Sequence, residues 1–504
     1  MGIPTTADEC NELGISHCLK AQQAKTSRER RAAWALALAA WRQGLDLDPN
    51  HLPSQFNRLH ALLALGSRYT ALQEGKELLS RLLTQRYLED PSLGLTGSQP
   101  RLAWDPPRLA SASKKARRSS KAASASRLGP RERYLHTLAR WLAHNSGVVY
   151  RPEPLPYWRL AAAIDPEDLE AQMVVAMNAA AQAQPEGAFL LQKIADHFPG
   201  QKDRALQVLQ LALDRYIPRQ DPSKAESDSA EQELETPPNG DPASEAVASM
   251  EIWTQYEGYK LRLEPDLKSI VTFVLLAQDR WFESEIELCR QILKPGMNAI
   301  DVGANVGVYT FLFARCVGKT GKVYAIEPTP GCVQCLQATV AQNKLDQTVQ
   351  VVEAAVGEES REVYLVCEED SVANRIVTDP MSVVEETKPV QQITLDELWI
   401  SEGSPDIDLL KVDVEGAEVP VLKGGRKLIE TCAPVILFEN QSTGQFSGLE
   451  SAKLLAEWGY LIYVYNPVIQ DLSTVQASVQ MPTALNLVAV HPRRFSWVSE
   501  AGLI

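Results

Sequence analysis

The chain has no run of about 18 uncharged apolar residues, the length a membrane-spanning helix requires. Its opening residues, MGIPTTADEC, lack the basic segment and apolar core of a secretory signal. Eight cysteines scattered over 504 residues show no framework spacing, which fits free thiols in a reducing compartment. Positive charge is also in short supply. The formal net charge of -14 argues against a surface built to grip nucleic-acid phosphates. An acidic balance otherwise serves solubility. These absences lead to the expectation of a soluble, cytoplasmic chain with no membrane span and no nucleic-acid partner. What is present is ordinary globular material, 45% hydrophobic and 23% charged, at a length that suits two to four domains.

Three composition regimes follow one another. From Ala32 to Leu83 the chain is rich in Ala, Leu, Gln and Arg, with apolar residues at helical spacing. Ala35, Leu38, Trp41 and Leu45 share one face, and Leu59, Leu62, Leu63 and Tyr69 share the next. Between them Asp46-Leu47-Asp48-Pro49-Asn50 reads as a helix stop and turn. The pattern recurs at Trp158 to Ala163, the turn Ile164 to Asp168, and a helical run from Leu169 to Ala183; a further helix is expected over Lys202 to Tyr216. Two units of helix, Asp-Pro turn and helix resemble tetratricopeptide (TPR) repeats, which stack helical hairpins. An irregular helical domain without a peptide groove fits the same pattern.

Two charged stretches interrupt this region. Ser111 to Arg133 carries eight Lys and Arg among serines and alanines, and Asp221 to Glu245 carries eight acids among prolines and serines. Neither can bury enough apolar surface to fold alone. The expected organisation is therefore a helical, TPR-like region over 1–218 with a basic insertion near 108–130. A Pro/Ser-rich acidic linker over 219–247 and a second domain over 248–504 complete it.

In that second domain β-branched apolar runs alternate with helical segments: Met297 to Val302, Lys322 to Ile326, Val349 to Val352, Leu409 to Val414 and Val435 to Phe438. Such alternation predicts a parallel sheet flanked by helices. The first run leads into Asp301-Val302-Gly303-Ala304-Asn305-Val306-Gly307 and then a helix from Val308 to Cys316. Strand, glycine turn and helix make a binding crevice at the carboxyl edge of such a sheet, and glycines at 303 and 307 let backbone approach a ligand. Glu327, 20 residues after Gly307, ends the second run, where a carboxylate can accept both hydroxyls of a ribose. The turn lacks the middle glycine of a dinucleotide fingerprint, and Asp301 would repel a pyrophosphate. The same carboxylate suits the sulfonium and ammonium of S-adenosylmethionine, which is the expected ligand.

These segments resemble the FkbM family of methyltransferases. The resemblance is carried by Asp301 to Gly307 with Tyr309-Thr310, by Ala325-Ile326-Glu327-Pro328, and by Ala354-Ala355-Val356-Gly357. Its strongest element is Leu410-Lys411-Val412-Asp413-Val414-Glu415-Gly416-Ala417-Glu418, followed by Val421 to Gly425. Pro434 to Glu439, Gly459-Tyr460 and Asn486 to Val490 fit the remaining strands, so the likeness spans about Trp281 to Arg494. It implies an α/β Rossmann-like fold with a seven-stranded, mostly parallel sheet, and methyl transfer to oxygen on sugars, glycans or secondary metabolites. By carry-over, Asp301, Gly303, Asn305 and Gly307 shape the amino-acid end of the donor site, Glu327 meets the ribose, and Glu353 and Ala354 flank the adenine.

The acceptor's proton must go to a base. After His197 the chain has only His491, so Asp413 and Glu415 at the fourth strand tip are the candidate catalytic carboxylates. Backbone capping by Glu415 and Glu418 is the competing role. Asp413, Glu439 and Asn440 are candidate oxygen ligands for Mg²⁺. Cys332 and Cys335 read as helix packing rather than a metal site. The alternatives to an O-methyltransferase are an inactive methyltransferase fold whose helical half binds a protein partner, or an N-methyltransferase. The expected partners are a small-molecule or glycan acceptor and a protein on the helical region.

Overall fold

The computed structural model describes residues 4–24, 26–84, 130–147, 149, 151–216, 250–366, 374–377, 387–440, 448–475 and 484–504. The acidic linker and nearly all of the basic insertion lie outside the described residues. Residues 130–133 are the exception within the basic stretch, because a helix already begins at Pro130.

Among the described residues the first half is helical: α1 (Ala7–Gln23), α2 (Ser27–Leu47), α3 (Leu52–Ala64), α4 (Arg68–Thr84), α5 (Pro130–Ser146), α6 (Leu155–Ile164), α7 (Leu169–Ala181), α8 (Pro185–His197) and α9 (Lys202–Arg215). Local chemistry starts them. Thr6 with Glu9 and Thr26 with Glu29 form reciprocal capping boxes, and Asp168 accepts the Ala171 N–H at the head of α7. The Asp-Pro turns end α2 and α6 at Leu47 and Ile164. The buried face of α2 is Trp34, Ala37, Leu38 and Trp41, rotated from the expected one so that Ala35 is exposed. Tyr69 belongs to α4 and is 77% exposed, so it does not extend the α3 face. Each helix packs on its successor in the chain.

The second half opens with a hairpin, β1 (Ile252–Tyr256) and β2 (Tyr259–Leu263), and two helices, α10 (Ile270–Gln278) and α11 (Glu285–Ile292). The main sheet uses β3 (Asn298–Val302), β4 (Lys322–Glu327), β5 (Val349–Glu353), β10 (Leu409–Val412), β11 (Val435–Glu439), β12 (Leu461–Asn466), β13 (Asp471–Thr474) and β14 (Asn486–Val490). A small sheet of β6 (Ala355–Val356), β7 (Arg361–Val366), β8 (Arg375–Val377) and β9 (Thr387–Ile393) follows β5. The flanking helices are α12 (Val308–Val317), α13 (Pro330–Asn343), α14 (Leu395–Ser401), α15 (Glu418–Gly424), α16 (Arg426–Cys432), α17 (Gly448–Glu457) and α18 (Phe495–Glu500).

The main sheet runs β13-β12-β14-β11-β10-β3-β4-β5, with β5, β4, β3, β10 and β11 all parallel. It has eight strands among the described residues rather than the expected seven. The extra one, β13, folds back antiparallel on β12 at the sheet edge, and its short polar sequence hides it from a hydrophobic-run reading. Chain order reverses between β3 and β10, so the crevice at their carboxyl ends is a topological switch point, where open α/β sheets bind ligands. Alternate residues serve opposite faces. Ala299, Leu409 and Leu437 join α11 and α12 on one side, while Ile300, Leu410 and Ile436 meet the helices of the other.

The helical half is fused onto this body. Buried residues of α7, α8 and α9 belong to the same apolar cluster as α10 and the sheet. Every residue of α10 from Val271 to Gln278 is buried. At the far edge, Arg31 on α2 pairs with the fully buried Asp471 at 2.7 Å, and Ile469 enters the core of α1 to α5.

Candidate active site

The crevice is a cleft of about 920 Å³ counted out to its open mouth. The turn after β3 forms its floor. Gly303 has φ +76°, and a Cβ there would stand 1.8 Å from the Asp413 carbonyl oxygen. Only glycine lets the β3 and β10 tips meet this closely. Asn305 also adopts positive φ (49°), stabilised as its Oδ1 accepts the Val306 N–H at 2.8 Å. Gly307, φ +102°, starts α12; it shapes the turn but does not line the cleft.

Glu327 stands at the tip of β4, 5% exposed. Its Oε2 accepts the Asn305 N–H at 2.9 Å and its Oε1 the Thr329 N–H at 2.8 Å. The backbone therefore aims both oxygens at once, and a carboxylate held by a few such donors retains acceptor capacity for a ligand. Burial pushes its pKa up, against the pull of those hydrogen bonds. Beyond it Ala354, Val356, Leu365 and Ile376 make an apolar wall. Ala354 lies where the sequence placed it. Glu353 does not: its side chain is exposed and outside the lining, because alternation along β5 turns it from the face that Ala354 joins.

Asp301 is fully buried and register-paired with Lys411 on β10. Its Oδ2 accepts from Thr310 Oγ1 at 2.6 Å, while Oδ1 has no hydrogen-bond partner and faces Lys411 Nζ at 3.6 Å. Lys411 is 3% exposed, with Nζ 3.0 Å from Asp413 Oδ2 and 4.9 Å above the Tyr309 ring. Burial opposes its charge, but Asp413, Asp301 and Glu283 outweigh that and raise its pKa, so it is a fixed cation. Asp301 is pushed up by burial despite Lys411.

Sequence reasoning missed Lys411 as a site residue, although it stands within the motif, and missed Glu283 altogether. Glu283, in the loop before α11, accepts from Tyr309 OH at 2.6 Å and Asn486 Nδ2 at 3.0 Å. Its pKa is raised by burial and by Asp413. No local signal marks Glu283, because tertiary folding alone brings it to the cleft.

Asp413 and Glu415 both line the cleft. Glu415 (φ 52°) and Gly416 (φ +95°) make a tight turn. Glu418, 2% exposed, pins it by accepting the Val414 and Gly416 N–H groups at 3.3 and 3.2 Å. Its capping is thus directed backwards, to the turn, rather than into the helix it starts. Asp413, Glu415 and Glu439 each bring one oxygen within 4.8 Å of the others. Asn440, next to Glu439, donates from Nδ2 to the Ala484 carbonyl at 2.8 Å. His491 follows β14 at the end opposite the cleft, edge-to-face against Tyr460. Cys332 and Cys335 are buried in α13, and burial pushes the Cys335 thiol up to about 12, as packing residues require.

Residues 301–462 match the family model described as the Methyltransferase FkbM domain. The Methyltransferase sdnD of Sordaria araneosa is similar, at 28% identity over 25% of this chain and 59% of its own length. The chain thus spans less than two thirds of that relative. Two solved structures are also similar. One is the methyltransferase FkbM of Methylobacillus flagellatus KT (15% identity, 44% of this chain, 53% of that one, TM-score 0.26). The other is a SAM-dependent O-methyltransferase of Thermotoga maritima (15% identity, 49% of this chain, 81% of that one, TM-score 0.25). At those scores the structural likeness carries no weight for substrate or mechanism. The C-terminal half contains an FkbM methyltransferase domain, and no helix among the described residues is long and apolar enough to cross a membrane.

Proposed function

We propose that the chain is an S-adenosylmethionine-dependent O-methyltransferase acting on a hydroxyl of a sugar, glycan or secondary metabolite. The observation that carries this reading is Glu327, whose two oxygens are held by backbone N–H groups at the second strand tip of a matched methyltransferase domain. The cleft's chemistry fits the donor. Among the described residues Glu283, Asp301, Glu327, Asp413 and Glu415 line it against one cation, Lys411, which favours a ligand carrying sulfonium and ammonium charge. The apolar wall from Ala354 to Ile376 suits an adenine.

When bound, the donor supplies a methyl group on a positively charged sulfur, so the carbon is electrophilic without further activation. The protein's tasks are then alignment and proton removal. Asp413 is the proposed proton acceptor, steadied by Lys411 at 3.0 Å. Glu415, beside it on the tight turn, assists at the acceptor end. Glu283 stands across Lys411 with a raised pKa, which makes it a stronger base than an ordinary carboxylate. An acid-rich end of this kind suits an uncharged hydroxyl compound and disfavours phosphorylated or carboxylated ones. Lys411 already supplies a cation there, so the reading needs no Mg²⁺, and EDTA is expected to leave activity unchanged.

Titration calorimetry with S-adenosylmethionine is the test. The full chain is expected to bind it, and Gly303→Ala, whose Cβ would collide with the Asp413 carbonyl, is expected to bind far more weakly. Absence of binding at millimolar donor would overturn the enzyme reading in favour of an inactive fold.

A further inference from the structure

The helical half sends a buried ionic cluster to the edge of the cleft. Glu170, in the first turn of α7, accepts from Arg280 Nη2 at 2.7 Å and Gln278 Nε2 at 2.9 Å. Arg204 on α9 pairs with Asp279 and donates to the Ala277 carbonyl at 3.2 Å. Four consecutive residues, Ala277 to Arg280, are therefore gripped by two helices of the other half. Asp279 turns the chain there with φ 56° as the cap of α10. Immediately beyond, Trp281 and Glu283 line the cleft, and Glu283 takes the Tyr309 and Asn486 hydrogen bonds.

We propose that Glu170 is a positioning residue for this cleft: through Arg280 and Gln278 it sets the wall that carries Trp281 and Glu283, making the helical half part of the active site. The inference rests on the methyltransferase reading of that cleft.

The cluster is built to hold position rather than to add stability. Arg140 pairs with both Asp168, at 2.6 Å, and Glu170, and His136 meets Asp168 at 2.9 Å. Asp168 is 3% exposed at its side chain and Glu170 11%. Arg140 and Arg280 thus balance Asp168 and Glu170. His144, 3.7 Å from Glu170, adds no charge at neutral pH, because burial pushes it down to about 4. Buried pairs gain little over apolar packing, yet losing one partner is costly, so each ion fixes the place of the next. A shift of about 1 Å in cleft residues is enough to cost on the order of 10²-fold in a bound reaction geometry.

Arg280→Ala, Arg280→Lys, Glu170→Gln and a control, Arg58→Ala, are to be compared in the full chain. Arg58 pairs with Glu74 between α3 and α4, away from the cleft. Affinity for S-adenosylmethionine is measured by calorimetry, hydrogen exchange of the 277–284 backbone by mass spectrometry, and folding by thermal melting. Arg280→Ala is expected to weaken donor binding by about tenfold or more and to speed exchange in 277–284 while β3 and β4 stay protected. Arg280→Lys is expected to restore most of both, and Arg58→Ala to change neither. A folded Arg280→Ala with wild-type affinity and wild-type exchange overturns the proposal. Should that variant fail to fold, Glu170→Gln decides in the same way. A wild-type chain that binds no donor sinks the methyltransferase reading instead, and the exchange measurement then still reports whether Glu170 holds the wall.

Discussion

Lys411→Met is the perturbation whose consequence the structure specifies most closely. The ammonium is 3% exposed and stands between Asp413 at 3.0 Å and the fully buried Asp301 at 3.6 Å. Methionine fills similar space but leaves Asp301 with one hydrogen bond, from Thr310, and no opposite charge. Removing one partner of a buried ion pair costs about 3–5 kcal/mol, which corresponds to roughly 6–20 °C in melting temperature for a domain of this half's size. The effect has a definite pH dependence. Asp301 is already raised by burial, and losing the lysine raises it further. A carboxylate whose folded pKa exceeds its unfolded value of about 3.9 costs stability as pH climbs from that value through the folded pKa. The gap between variant and wild type is therefore expected to be wide at pH 8 and narrower at pH 5. Adding Asp301→Asn to Lys411→Met removes the stranded charge and is expected to recover much of the loss. Thermal melts at both pH values check this. A Lys411→Met protein that melts within about 2 °C of wild type at pH 8, less than about 1 kcal/mol, refutes the reasoning. So does a double variant no better than the single one.

Glu327→Gln replaces one oxygen by a donor group that must face the Asn305 or the Thr329 N–H. Donor affinity is expected to fall by about 1–3 kcal/mol, roughly 5- to 150-fold, and unchanged calorimetric binding would remove Glu327 from the ribose role. Glu285, 5% exposed, is raised to about 7 by burial and by neighbouring Glu283. Its contribution to stability is present in full below its unfolded pKa of about 4.3 and is lost as pH rises through about 7. Glu285→Gln is accordingly expected to be more stable than wild type at pH 8, by about 4 kcal/mol, and nearly equal at pH 4.5. Urea unfolding at both pH values reads this, and a gap independent of pH would count against it.

The parts of the fold that were legible in the sequence are those whose signal is local. Five apolar runs foretold β3, β4, β5, β10 and β11 to within two residues, because strands buried on both faces read as continuous hydrophobic stretches. Gly303, Asn305 and Glu327 were legible because a tight turn and a strand tip each demand a residue type at a fixed spacing. The strand β13 was not, since Asp471-Leu472-Ser473-Thr474 has no such run, and the buried Asp471 finds its partners, Ser27 and Arg31, on α2 more than 400 residues away. Glu353 lies outside the lining for a related reason: naming a strand tip does not say which face each side chain takes, and alternation turns Glu353 away while Ala354, expected beside it, lines the cleft.

Lys411 and Glu283 show where local reading stops. The lysine stood in the motif in plain view, yet a lysine in an apolar strand has meaning only beside the carboxylates that neutralise it. One of those, Asp301, is a register partner more than a hundred residues earlier, and another, Glu283, comes from a loop held by a different half of the chain. The same logic alters the role of the helices. Read alone, α1 to α9 suggest an array free to recruit a partner. In the folded chain their α7 to α9 share a core with the sheet, and Glu170 and Arg204 grip the segment that leads into the cleft. On the proposal above, α7 and α9 cannot shift without carrying Trp281 and Glu283. A ligand or substitution that shifts α7 or α9, rather than the separate core of α1 to α5, is then expected to act on the cleft through Ala277 to Arg280.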